Sequence, residues 1–116
     1  MNKQIRLITR DLKEIVFHYA EVRAMTRITL WNVLENNNLP LSKEEIFNLT
    51  RLPDKERKYV YAHIKHECLP SYYVNDVPIL KKVKEGYIVN PEVLRNPDSP
   101  LNKVLKLIKE NKIKYW

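Results

Sequence analysis

Leu80-Lys81-Lys82-Val83-Lys84-Glu85-Gly86-Tyr87-Ile88-Val89 is the stretch on which the fold turns. Two short β-prone runs, Leu80–Val83 and Tyr87–Val89, flank Lys84-Glu85-Gly86, and this glycine is the only one in 116 residues. A tight hairpin loop needs a residue that tolerates positive φ, and glycine does so without steric cost. The spacing predicts a β-hairpin over 80–89 with its turn at Gly86. Just upstream, Tyr72-Tyr73-Val74 and Val77-Pro78-Ile79-Leu80 are also β-rich, and Pro78 confines its run to an edge or a strand start.

Up to Pro70 the elements read as helices. Residues 1–39 contain neither Gly nor Pro. Ile5, Ile8, Leu12, Ile15, Val16, Tyr19, Val22 and Met25 recur at helical spacing and make one apolar stripe. The pattern blurs at Thr26-Arg27-Ile28-Thr29 and resumes at Leu30, Trp31, Val33 and Leu34, which predicts helices over 3–25 and 27–36 with a bend between them. Asn36-Asn37-Asn38-Leu39-Pro40 ends the segment, because Asn favours local side-chain bonding and the residue before Pro avoids the helical region. Ser42-Lys43-Glu44-Glu45 is a capping box opening a short helix with Ile46, Phe47 and Leu49 on its apolar side. Trp31 and Phe47 are expected to anchor the core between these helices. After Arg51-Leu52-Pro53, Asp54 is expected to cap a third helix over 54–68 that buries Val60, Tyr61, Ile64 and Cys68.

Beyond the hairpin, Pro91, Pro97 and Pro100 predict a loop over 90–100. Ser99-Pro100 then opens a last helix, with Ser at the cap and Pro at the first helical position. Leu101, Val104, Leu105 and Ile108 form its inner side, and Lys103, Lys106 and Lys109 its outer side. The fold class expected is mainly α with a small β-hairpin in a single domain over 1–116. It divides into an N-terminal helix over 1–25, a core over 27–90, and a loop and basic C-terminal helix over 91–116.

The order of helix, capped short helix, tight turn, longer helix and hairpin resembles the winged helix-turn-helix family. The residues that carry the likeness are Leu30-Trp31-Asn32-Val33-Leu34, Leu41-Ser42-Lys43-Glu44-Glu45-Ile46, Pro53-Asp54 and the Leu80 to Val89 wing. The resemblance implies a winged helix-turn-helix flanked by N- and C-terminal helices, binding double-stranded DNA, with helix 54–68 in the major groove and the 80–89 hairpin as wing. It implies a transcriptional regulator, and the surplus N-terminal helix offers a homodimer interface. The turn Thr50-Arg51-Leu52-Pro53 departs from the pattern in lacking the Gly often found there.

On a helical wheel with Val60, Ile64 and Cys68 inward, Lys55, Lys58, Tyr59, Ala62, Lys65 and His66 face outward. Lys55, Lys58, Tyr59, Lys65 and His66 are the candidate DNA contacts there, with Lys81, Lys82 and Lys84 on the hairpin. The competing reading of the helix is an ordinary solvated face, and that of the hairpin lysines is protection of a strand edge. Asp54, Glu56 and Glu67 on the same helix repel phosphate, and residues 39–70 hold six basic against five acidic residues. The formal charge of +7 resides mostly in residues 101–116, which hold five Lys and one Glu. That stripe lies along nucleic acid, or its helix docks by its apolar side on the core or a second subunit.

Other classes are expected to be absent. A single Cys excludes an internal disulfide framework and a Cys-based zinc cage, and a single Gly excludes Gly-rich nucleotide loops. His63, His66, Glu67 and Cys68 diverge around a helix, so no metal site is expected, and His18 reads as a packing residue. Cys68 reads as a small core hydrophobe, no hydrolase signature is present, and the acidic pairs serve helix starts, so no catalytic residue, cofactor or small-molecule substrate is expected. No transmembrane span or signal peptide is evident, which points to a cytoplasmic protein, or one in the host cytoplasm if viral. The Ile, Lys, Asn and Tyr bias suits an AT-rich genome of archaeal, viral or low-GC bacterial type. Two rival functions remain: a protein-interaction module using the terminal amphipathic helices, and an RNA-binding protein using the Tyr and Lys of the hairpin and third helix.

Overall fold

A computed structural model describes residues 21–70 and 77–112, with side chains from residue 24. The elements are α1 (Glu21–Leu34), α2 (Lys43–Thr50), a 3₁₀ turn (Asp54–Glu56) running into α3 (Arg57–Glu67), β1 (Leu80–Val83), β2 (Gly86–Val89), α4 (Pro91–Arg95) and α5 (Pro100–Lys109). The protein is mainly helical with a small antiparallel hairpin, as its sequence predicts. The expected helix over 3–25, the Tyr72 to Val74 run and the terminal Trp116 lie wholly or largely outside the described residues.

α1 runs unbroken through residue 26, where the sequence predicts a bend. The β-branched residues there lower helix propensity by only tenths of a kcal/mol each, roughly, and break nothing without Gly or Pro. The Thr29 hydroxyl donates back to the Met25 carbonyl at 2.9 Å, a bond made within the helix. The Asn run then stops it as expected. Asn37 and Asn38 adopt left-handed conformations (φ 54 and 53), and the Asn38 amide donates to the Asn32 carbonyl at 2.7 Å.

The capping box of α2 is complete: Ser42 Oγ accepts from the Glu45 amide and Glu45 Oε1 from the Ser42 amide, both at 3.1 Å. α2 ends at Arg51 in a left-handed conformation (φ 58), the role a glycine often fills. Asp54 does not cap α3. Pro53 stands at the cap of a 3₁₀ turn that leads into the helix with Asp54 inside it, and Glu56 occupies the cap of α3 itself. Its carboxylate instead meets Arg57 one turn on.

The hairpin pairs Leu80 with Val89, Lys81 with Ile88, Lys82 with Tyr87 and Val83 with Gly86. Gly86 is therefore the first residue of β2, and Lys84-Glu85 form the turn. Its φ of 148 is one that side chains rarely adopt, and a Cβ there would collide with the Leu41 carbonyl oxygen. Leu41 pairs with Tyr87 through two backbone bonds, 3.0 and 2.8 Å, along the outer edge of β2. Gly86 is thus set by a third backbone passing close by, more than by the loop.

Residues 90–100 are not all loop as expected. Asn90 caps α4, accepting from the Glu92 amide at 3.1 Å, with Pro91 at the first helical position. The same arrangement opens α5, where Ser99 Oγ accepts from the Asn102 amide at 3.2 Å. One core joins these elements. It runs from Met25, Ile28 and Leu30 through Ile46 and Phe47, Val60 and Ile64, Leu80 and Val89, to Val93 and Val104. Phe47 lies within it and Trp31 packs half-buried against it.

Candidate nucleic-acid interface

α3 and its opening turn put Lys55, Lys58, Tyr59, Ala62, Lys65 and His66 in solvent, the face the wheel predicts. Tyr59 is 59% exposed. The stripe spans about 16 Å at the helical rise per residue.

The acidic residues that oppose it differ in placement: Asp54 is paired but exposed, and only Glu67 is buried. Asp54 meets Arg57 at 2.8 Å. The Arg57 guanidinium lies over the Phe47 ring at 4.3 Å, donates to the Tyr61 hydroxyl at 3.0 Å, and is held protonated by that bond first and Asp54 second. Arg57 therefore clamps α2 to α3. Glu56 is half-buried. Glu67 is buried at 5% exposure, and loss of water pushes its carboxyl up to about 8, so it carries little charge near neutral pH. The inward stripe is accordingly Val60, Ile64 and Glu67, while Tyr61 and Cys68, expected there, are half-buried. Steps of four and three include position 67; its acidic identity masked the signal.

Lys81, Lys82 and Lys84 are all exposed, but they do not form one tip. Side chains alternate along a strand, so Lys82 shares the face of Leu80, Lys81 takes the opposite one, and Lys84 stands in the turn. Lys82 and its cross-strand partner Tyr87 continue the core face of Leu80 and Val89 outward. They form one wall of an open groove of about 450 Å³. Tyr61, Ala62 and Lys65 of α3, Cys68 at its C-cap and Lys43 of α2 line the rest. Lys43 Nζ is held 4.9 Å from the Tyr61 ring centre. Burial, and next Glu67, push the Cys68 thiol up, against an opposing pull from Lys82.

The structure thus joins Lys65 with Lys82 across the groove, and places Lys55, Lys58 and Tyr59 farther along α3 towards its N-terminal end. Sequence reasoning missed Lys43, Tyr61 and Tyr87. Tyr87 was legible as the partner of Lys82 once the turn was set at two residues. Lys43 was hidden by its role as the first residue of a capped helix. Lys103, Lys106 and Lys109 are exposed, and the opposite side of α5 docks on this chain's own core through Leu101, Val104 and Leu105.

Among the described residues, no group of three or more His, Cys, Asp or Glu is placed to hold a metal ion, and no helix is long and apolar enough to cross a membrane. His18 lies outside them. No family model, curated protein or solved structure matches the chain.

Proposed function

We propose that this chain is a DNA-binding protein of winged helix-turn-helix type that acts as a transcriptional regulator. α3 and its opening turn enter the major groove and the 80–89 hairpin serves as wing. The observation that carries the reading is the outward face of α3: Lys55, Lys58, Tyr59, Lys65 and His66 are exposed together, while Asp54 is paired and Glu67 buried. Pairing of Asp54 and burial of Glu67 reduce the electrostatic objection raised by the helix's near-balanced composition. The short backbone pairing of Leu41 on β2, between α1 and α2, also supports it by fixing the hairpin against the helices. Lys81, Lys82 and Lys84 contact phosphates. The chain acts in the cytoplasm as a homodimer through its N-terminal segment, on half-sites about one helical turn apart.

Fluorescence anisotropy against a random duplex pool tests this. Binding at low salt that weakens steeply as salt rises is the expected result, because each neutralised phosphate releases counterions. No binding at low salt overturns it.

A further inference from the structure

The groove between α3 and the hairpin offers more than a strip of phosphate contacts. Three ammonium groups line it, Lys43, Lys65 and Lys82, and among the described residues no carboxylate does. They come from three separate elements, so their convergence is a product of the fold and not of a local lysine run. Between them lie Ala62 and the half-buried rings of Tyr61 and Tyr87. Lys43 is fixed at the α2 wall by its position over Tyr61, which leaves Tyr87, on the hairpin wall, as the apolar surface opposite. A volume of about 450 Å³ falls in the range of small-molecule sites.

We infer that this groove binds a single nucleotide unit, with its phosphate among Lys43, Lys65 and Lys82 and its base against Tyr87 and Ala62. Charge complementarity calls for a multiply charged anion, and the aromatic floor calls for a flat ring beside it, since base–aromatic contact is sequence-tolerant and favourable. A free nucleotide and a nucleotide within a single strand share this chemistry. The inference shares Lys65 and Lys82 with the proposed duplex interface and adds Lys43, Tyr61 and Tyr87, which take no part in that reading; its test uses no duplex, so the two can fail separately.

The full chain is titrated with adenosine 5′-monophosphate, inorganic phosphate, adenosine and a single-stranded deoxyadenylate hexamer, following amide shifts and calorimetric affinity. The expected result is saturable binding of the monophosphate or the hexamer, with shifts centred on Ala62, Lys82 and Tyr87. Lys43→Gln combined with Lys82→Gln weakens it by about ten-fold or more, the loss expected for charge-assisted contacts. Ala62→Trp, at an exposed helical position, blocks it while leaving every charge in place. Binding of the monophosphate identifies a free nucleotide as sufficient, and binding of the hexamer alone identifies a strand. Absence of binding by both overturns the inference. So does inorganic phosphate binding as tightly as the nucleotide, or affinity unchanged in both variants.

Discussion

Asn38 shows how much one side chain does at the junction of helix and hairpin. Its Nδ2 donates to the Val89 carbonyl at 2.8 Å and its Oδ1 accepts from the Val89 amide at 2.9 Å, so the amide group imitates a neighbouring strand. Asn32 Nδ2 donates to the same Oδ1 at 3.1 Å, and Asn36 donates to Asn32 Oδ1 at 2.6 Å. Removing the Asn38 side chain leaves the buried Val89 amide and carbonyl short of partners, a loss of about 1–3 kcal/mol. Asn38→Gly keeps the left-handed backbone comfortable and isolates that loss; urea melts should show it. Asn38→Asp, nearly isosteric, should cost at least as much, because it turns a donor into an anion facing the Val89 carbonyl. Glu67 makes the residue-scale case for pH. The unfolded chain releases this proton near the ordinary carboxyl value of 4.5, whereas the folded chain holds it to about 8. The folded state binds the extra proton between those values, so stability falls as pH rises through that window and levels off above it, by about 4–5 kcal/mol at most. Glu67→Gln should flatten this dependence and be the more stable protein at pH 9, with little difference near pH 4. Equal slopes for the two proteins would contradict the burial argument.

At the scale of elements, the hairpin is held in place by what passes its edge. Leu41 covers Tyr87 with backbone and Asn38 covers Val89 with a side chain, so the outer edge of β2 is satisfied without a full third strand. Gly86→Ala strains a φ of 148 and pushes a methyl into the Leu41 carbonyl. The expected cost is about 2–3 kcal/mol, with faster hydrogen exchange at the Tyr87 amide as the pairing opens. Much of this scale was legible in sequence. Ser42 and Glu45 form both limbs of the capping box, and Ser99-Pro100 opens α5, because caps act through residues three positions apart or fewer. Asn90-Pro91 carries the same signal, but the prolines around it suggested a loop. At residue 26 the helix runs on unbroken, because a dip in propensity removes no hydrogen bond and so cannot by itself break the helix. Gly86 was located correctly, yet half its reason lies in Leu41, 45 positions earlier, and no local pattern reports such an approach. The buried Glu67 and the groove lysines are likewise products of packing between distant elements.

For the whole molecule, charge placement matters more than the total. A formal +7 describes a chain whose residues 101–116 hold most of the excess, yet α5 within them buries its apolar side in the core and leaves its lysines on one flank. The outer face of α3 carries little net charge by composition and a clear positive bias by geometry. The two surfaces make different contributions to affinity. Replacing Lys58 by Ala removes one prospective phosphate contact at the exposed stripe, so duplex affinity should fall and the slope of log affinity against log salt should become shallower by about one. Replacing Lys106 by Ala makes the same change of net charge on α5, outside the proposed interface. If long-range attraction by total charge governs binding, the two variants behave alike. If contacts on α3 govern it, Lys58→Ala changes the salt slope and Lys106→Ala leaves it within error. Anisotropy titrations of both variants over a series of salt concentrations decide between these outcomes. Identical slopes for wild type and Lys58→Ala would remove this residue from the interface.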